Sequence, residues 1–247
     1  MRADQMLAYC VERFSSIEIN NSFYRLPSRE TFASWRDATP KDFVFGVKAS
    51  RFITHNKKLK DPKPSVERFF ASVSALEAKV GAILFQLPPQ WGRNTGRLEE
   101  FLEAVPQGYR YAFEFRNDSW FDEETYRILR RHNAAFCVWD LAGQQSPRML
   151  TSKFAYLRLH GPDPHKYSGS YSREQLQDWL RYCKECLANG ATQVFVYFDN
   201  DQAGYAALNA MTLQQMVSGS AKKSSASVRR ARSPRSDRES RLRTNLS

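Results

Sequence analysis

The chain has 247 residues, 42% hydrophobic and 13% aromatic, enough to bury one large core. No stretch approaches the roughly 18 apolar residues of a membrane span, and the opening "MRADQMLAYC" does not read as a charged-then-apolar signal segment. The net charge of +11 is uneven, because residues 218–247 hold nine Lys or Arg against two acids and so carry +7 of it.

In chain order, "ADQMLAYCVERF" reads as a first helix. Strand candidates follow at 15–20, 43–50, 81–87, 111–116, 135–141, 155–161 and 193–199. Between them lie segments with apolar residues at helical spacing. Val66, Phe69, Phe70, Val73 and Leu76 form one such stripe, and Leu98, Phe101, Leu102 and Val105 another, with Thr95 as its expected cap. Ser172 and Gln175 make a capping-box pattern ahead of Leu176, Trp179, Leu180, Cys183 and Leu187, and Asn189-Gly190 closes that helix. A last helix is expected over 204–217. Strand–helix alternation argues for a parallel sheet with helices outside it. Seven such units in this length argue for a TIM-type (β/α) barrel, so residues 1–217 are expected to be the barrel domain. The Ser/Arg-rich residues 218–247, nearly without large apolar groups, are expected to be a disordered basic tail.

Successive side chains of a strand point to opposite faces. If Ile17, Phe45, Phe85, Phe113, Phe115, Leu157, Leu159, Val196 and Phe198 face the helices, then Glu18, Asn20, Lys48, Gln86, Glu114, Arg116, Arg158, His160, Tyr197 and Asp199 face the barrel interior. Asp140 also lies near the C-terminal end of its strand. Barrel interiors are normally filled by branched apolar groups, with function at the C-terminal mouth. Buried ions cost several kcal/mol unless paired. Two readings remain: a polar functional site, or a salt-bridge network that closes the barrel top.

Six motifs in order carry a resemblance: "SSIEINNSFYRLPSRETFASW", "FVFGVKASRFITH", "ILFQLPPQW", "YAFEFRNDSW", "YLRLHG" and "VYFDNDQAGYAALNA". Together they resemble the YecE-like family, domain of unknown function 72, over residues 7–217. The resemblance implies a TIM-type barrel and supplies positions rather than a reaction. Glu18, Asn20, Lys48, His55, Gln86, Glu114, Arg116, His160 and Asn200 match family motif positions. Asp199 stands where Asn is usual, and Pro162 follows "HG" where a basic residue is common. Family members open with a strand and a Gly-Trp motif, so the barrel is expected to lack its first strand and to leave a gap between the strands of Glu18 and Asp199.

Glu18, Glu114, Asp140 and His160 are the candidate acids, bases or divalent-metal ligands. Lys48, Arg116 and Arg158 are donors suited to phosphate or carboxylate. Arg116 is expected to clamp an anion and Glu114 to act as base or metal ligand. Asn20, Gln86, His55, Tyr197 and Asn200 complete the expected substrate-binding set. Arg51, Lys57, Lys58, Lys60 and Lys63 surround one Asp61 in the loop after Lys48. The expectation is an enzyme acting on an anionic or phosphorylated substrate, nucleic acid included, by acid–base or metal-assisted hydrolysis. The alternative is a noncatalytic nucleic-acid or anion-binding barrel that uses loop 51–63 and the basic tail. The metal and cofactor are left unknown, and no membrane partner is expected. Cys10, Cys137, Cys183 and Cys186 are expected to be free thiols in a reducing cytoplasm. Cys183 and Cys186 fall within an amphipathic helix and read as packing residues.

Overall fold

The computed structural model describes residues 3–231, with side chains described for 5–219. Seven parallel strands, β1 (Ser16–Ile19), β2 (Val44–Lys48), β3 (Val80–Gln86), β4 (Tyr111–Glu114), β5 (Ala135–Leu141), β7 (Phe154–Leu159) and β8 (Gln193–Phe198), pair in the order β1-β2-β3-β4-β5-β7-β8. They form a nearly closed barrel. Among the described residues β1 and β8 are not hydrogen-bonded neighbours, so the expected gap is present. A strand the periodicity did not predict, β6 (Gln144–Gln145), folds back antiparallel on β5. Its turn residues Ala142 and Gly143 have φ of 54° and 75°, the left-handed backbone of a tight hairpin.

Helices α1 (Ala3–Val11), α2 (Arg29–Asp37), α3 (Pro62–Val73), α4 (Thr95–Ala104), α5 (Glu123–Arg131), α6 (Arg173–Ala188) and α7 (Tyr205–Ala231) accompany the strands. The capping box of α6 forms as expected: Ser172 Oγ accepts from Gln175 N, and Gln175 Oε1 accepts from Ser172 N. The cap of α4 falls one residue earlier than expected. Asn94 Oδ1 accepts from Arg97 N at 3.0 Å, leaving Thr95 as the first helical residue. Helix α7 runs past residue 217, where the barrel domain was expected to end; residues 232–247 of the expected tail lie outside the described residues.

The phase of the strands decides what lies inside. Phe85, Phe113, Phe115 and Phe136 join the outer core under the helices, their rings stacked at centroid distances of 5.3, 6.3 and 5.8 Å in succession. Truncating a buried Phe of this kind costs about 3–5 kcal/mol. A second, smaller cluster of Ala82, Leu84, Ala112, Ala135, Cys137, Phe154, Tyr156, Phe195 and Tyr197 plugs the lumen. Gly46 is required there, because a Cβ on it would lie 2.9 Å from both the Tyr156 and Tyr197 hydroxyls. The apolar plug ends at these hydroxyls, and charged side chains continue toward the mouth.

Candidate functional site

Arg158, only 2% exposed, is the hub of the upper lumen. Its Nε donates to both oxygens of Glu18, at 3.0 and 2.9 Å. Its Nη1 donates to Glu114 Oε2 at 2.8 Å, and its Nη2 to Asn20 Oδ1 at 3.2 Å with Asp199 Oδ2 2.5 Å away. The other Glu114 oxygen accepts from Arg116 Nε at 2.5 Å. Arg116 lies over Trp139, its Cζ 4.4 Å from the ring centroid, and its Nη2 lies 2.8 Å from His160 Nε2. Since Nη2 can only donate, His160 Nε2 accepts and the ring proton sits on Nδ1, 3.3 Å from Asp199 Oδ2.

These contacts push the titrating groups in different directions. Burial drives the Glu18 carboxyl upward, and Arg158 only partly counters it, so its pKa stays raised. Burial also pushes Glu114 up, but Arg116 and Arg158, with His160 and Lys48 beyond them, outweigh it and hold the carboxyl well below the usual range. Desolvation, reinforced by Arg158, keeps His160 well below its ordinary 6.5 and therefore neutral. Burial and Arg158 likewise lower Lys48.

Arg116 Nη1 is buried without a hydrogen-bond partner, whereas His160 Nδ1 and Asp199 Oδ2, though outside hydrogen-bond geometry, face each other, with Arg158 beside the carboxylate. A buried N–H left without a partner costs about 1–3 kcal/mol and marks a place for water or a ligand. Lys48 stands at the edge of the cluster with Nζ 4.4 Å from the centroid of Phe23, whose ring packs edge-to-face with His55 at a centroid distance of 5.0 Å. His55 Nδ1 is 2.9 Å from Thr54 Oγ1.

Glu18, Asn20, Glu114, Arg116, Arg158, His160 and Asp199 are thus brought together, with Lys48 and His55 beside them. Gln86 pairs in register with Glu114 at the strand ends, and Tyr197 lies lower, in the plug. Two expected site residues fall elsewhere. Asp140 pairs in register with Leu159, whereas Trp139 pairs with Arg158, so Asp140 points to the outer face, where Gln145 Nε2 donates to it at 3.2 Å. Burial raises its pKa there. Asn200 is fully buried and donates to Gly169 O and Asn209 Oδ1, both at 2.8 Å, which ties down the loop between β7 and α6. Trp139, the platform under Arg116, was not among the expected residues. Both faces of β5 are apolar, which hid its phase.

Among the described residues no group of three His, Cys, Asp or Glu side chains is placed to hold a metal. Each lumen carboxylate is ion-paired with Arg116 or Arg158, with which a divalent cation there would compete. Cys183 and Cys186 are free thiols buried within α6, as the packing reading expected, and burial pushes Cys183 up to about 12.

A nearly closed parallel barrel, apolar below and lined with arginine–carboxylate pairs at its C-terminal mouth, is the class of protein these features define. The chain belongs to the family described as "Protein of unknown function DUF72", whose model matches residues 1–235. It is 27% identical over 240 residues to the UPF0759 protein YunF of Bacillus subtilis, covering 83% of each. It is also 32% identical over 109 residues to the UPF0759 protein YecE of Escherichia coli, covering 44% of this chain and 40% of that one. A solved DUF72 family protein from Thermotoga maritima superposes with a TM-score of 0.79 at 32% identity, covering 88% of this chain and 91% of the other. One from Enterococcus faecalis, at 20% identity and a TM-score of 0.77, shares the fold. No helix among the described residues is long and apolar enough to cross a membrane.

Proposed function

We propose that the barrel mouth binds the anionic group of a phosphorylated or carboxylated substrate and hydrolyses it by acid–base chemistry. The observation that carries this reading is Arg116. Its Nε and Nη2 are fixed by Glu114 and His160 and its face rests on Trp139, yet its buried Nη1 has no partner. Such a guanidinium is oriented in advance for one more charge-assisted bond. Lys48 supplies a second cation at the edge of the cluster.

The two carboxylates divide the remaining work, because their surroundings push their pKa values apart. Glu114, held ionised between two arginines, is a poor base and serves as the positioning group for both guanidiniums. Glu18, with its raised pKa, is the proton donor to the leaving group. Neutral His160, with Nε2 accepting from Arg116 and its ring proton on Nδ1 toward Asp199, is a second positioning group for the Arg116 guanidinium. This assignment replaces the expectation of Glu114 as base.

Inorganic phosphate is the first probe. It should raise the melting temperature of the wild type, and Arg116→Ala should abolish that rise. Hydrolysis of an alkyl phosphodiester, whose alkoxide leaving group has to be protonated, should then fall about 100-fold or more in Glu18→Gln, the usual scale for losing a general acid. Equal protection of wild type and Arg116→Ala by phosphate would defeat the reading. Complete pairing of Glu18 and Glu114 by arginines favours a second one, a noncatalytic anion-binding barrel. Phosphate protection without turnover would select it.

A further inference from the structure

Tyr24, Phe52 and Tyr167 are the aromatic residues among the large apolar side chains left exposed, at 76%, 51% and 49%. All three lie on loops that leave the C-terminal ends of strands: Tyr24 after β1, Phe52 after β2 and Tyr167 after β7. They therefore share the face of the barrel that holds the charged site. Each is tied to that site by a ring contact or a short stretch of chain. Tyr24 meets Phe23 edge-on at 5.0 Å, and Phe23 touches Lys48 and His55. Phe52 is in the same turn as His55. Tyr167 meets the His160 ring at 5.5 Å.

The loops that carry these rings are built rather than slack. Lys58, Leu59 and Asp61 all have positive φ, with Leu59 buried as the anchor. Tyr167 has φ of 63° in a loop where a Cβ on Gly161 would fall 2.0 Å from Ser168 O. Non-glycine residues hold such backbone only where their surroundings enforce it. The segments that follow β1 and β2 also carry the exposed cations Arg25, Arg51, Lys58, Lys60 and Lys63.

We infer that this rim binds single-stranded nucleic acid, with bases stacked on Tyr24, Phe52 and Tyr167 and the backbone following the cations toward Arg116. The inference rests on the anion-binding reading and names its substrate class. One mononucleotide needs a single ring platform, whereas three exposed rings on separate loops of one face, with exposed cations on two of those segments, fit a polymer. A duplex hides its base faces and cannot use them; a single strand offers every one.

The test is fluorescence anisotropy of a labelled oligothymidylate of about a dozen nucleotides with the full chain, near 0.15 M salt. Binding should be tighter than to the same length of duplex. Tyr24→Ala, Phe52→Ala and Tyr167→Ala should each weaken it by about 5- to 150-fold, while Tyr→Phe at 24 and 167 should restore it. Residues 218–247 contain no aromatic, so binding through them responds to salt and not to these variants. Oligonucleotide affinity unchanged in all three variants, or equal affinity for heparin and for duplex, would overturn the inference. If phosphate protection still depends on Arg116 in that case, the anion site stands and only the polymer fails. If the variants weaken oligonucleotide binding but phosphate protection ignores Arg116, the rim stands and the anion site fails.

Discussion

Two carboxylates on one arginine behave in opposite ways because of what else each one touches. Glu18 meets Arg158 and the Tyr156 hydroxyl, which donates to its Oε1 at 3.0 Å, and burial prevails. Glu114 meets two guanidiniums, which prevail over burial. His160 gives this balance a measurable consequence. Burial, Arg158, Arg116 and Lys48 hold its folded pKa well below 6.5, against Glu114 pulling the other way. A depressed folded pKa means that the unfolded chain takes up the proton first, so this stability is complete above 6.5 and is lost as pH falls below it. The wild type should therefore lose stability relative to His160→Gln by about 1.4 kcal/mol per pH unit from 6.5 downward. Urea melts of the two proteins between pH 7.5 and 5 check this through their difference, in which the opposite-signed contribution of Glu18 cancels. Curves that stay parallel would mean that His160 is not held neutral.

At the scale of elements, alternation made most of the lumen legible in the sequence. Toward the C-terminal ends of β1, β4, β7 and β8, aromatic or aliphatic residues of the outer face alternate with polar ones, so the period of 2 assigns those side chains. It failed in β5, "AFCVWDL", where Phe136 and Val138 face the helices while Cys137 and Trp139 face the lumen. With both faces apolar the lone acid looked like a lumen group, though Asp140 is in phase with Phe136. Loop geometry was equally hidden, since Asn200 and Gly161 act through backbone contacts that no spacing announces. Gly161 has φ of 107°, and Gly161→Ala would drive a methyl against the Ser168 carbonyl. We expect that substitution to cost about 1–3 kcal/mol and to release Tyr167 from His160. Thermal melting measures the first effect, and the intensity of ring-to-ring cross-peaks between Tyr167 and His160 the second. Unchanged cross-peaks would separate the loop from the site.

At the scale of the whole molecule the barrel is open along one seam, and side chains rather than backbone hold its edges together. β1 and β8 are largely half-buried, whereas β5 and β7 are buried almost throughout, as expected if only the outer pair lacks a neighbour. Across that seam Asn20 Nδ2 donates to Asp199 Oδ1 at 3.2 Å, and Glu18 on β1 reaches Arg158 and Tyr156 on β7. The charged lumen therefore closes the sheet as well as forming the candidate site. Unpaired edge amides open more readily than paired central ones. Hydrogen exchange should accordingly be faster in β1 and β8 than in β3, β4 and β5. Asn20→Ala removes the bridge to Asp199 and one acceptor of Arg158, while the ion pairs of Arg158 with Glu18 and Glu114 remain. It should speed exchange in β1 and β8 by about 5- to 10-fold, as expected for losing hydrogen bonds worth about 1 kcal/mol net, and leave β3, β4 and β5 unaffected. If exchange accelerates uniformly through the barrel, the seam is no weaker than the rest of the sheet, and the bridging side chains serve the site alone.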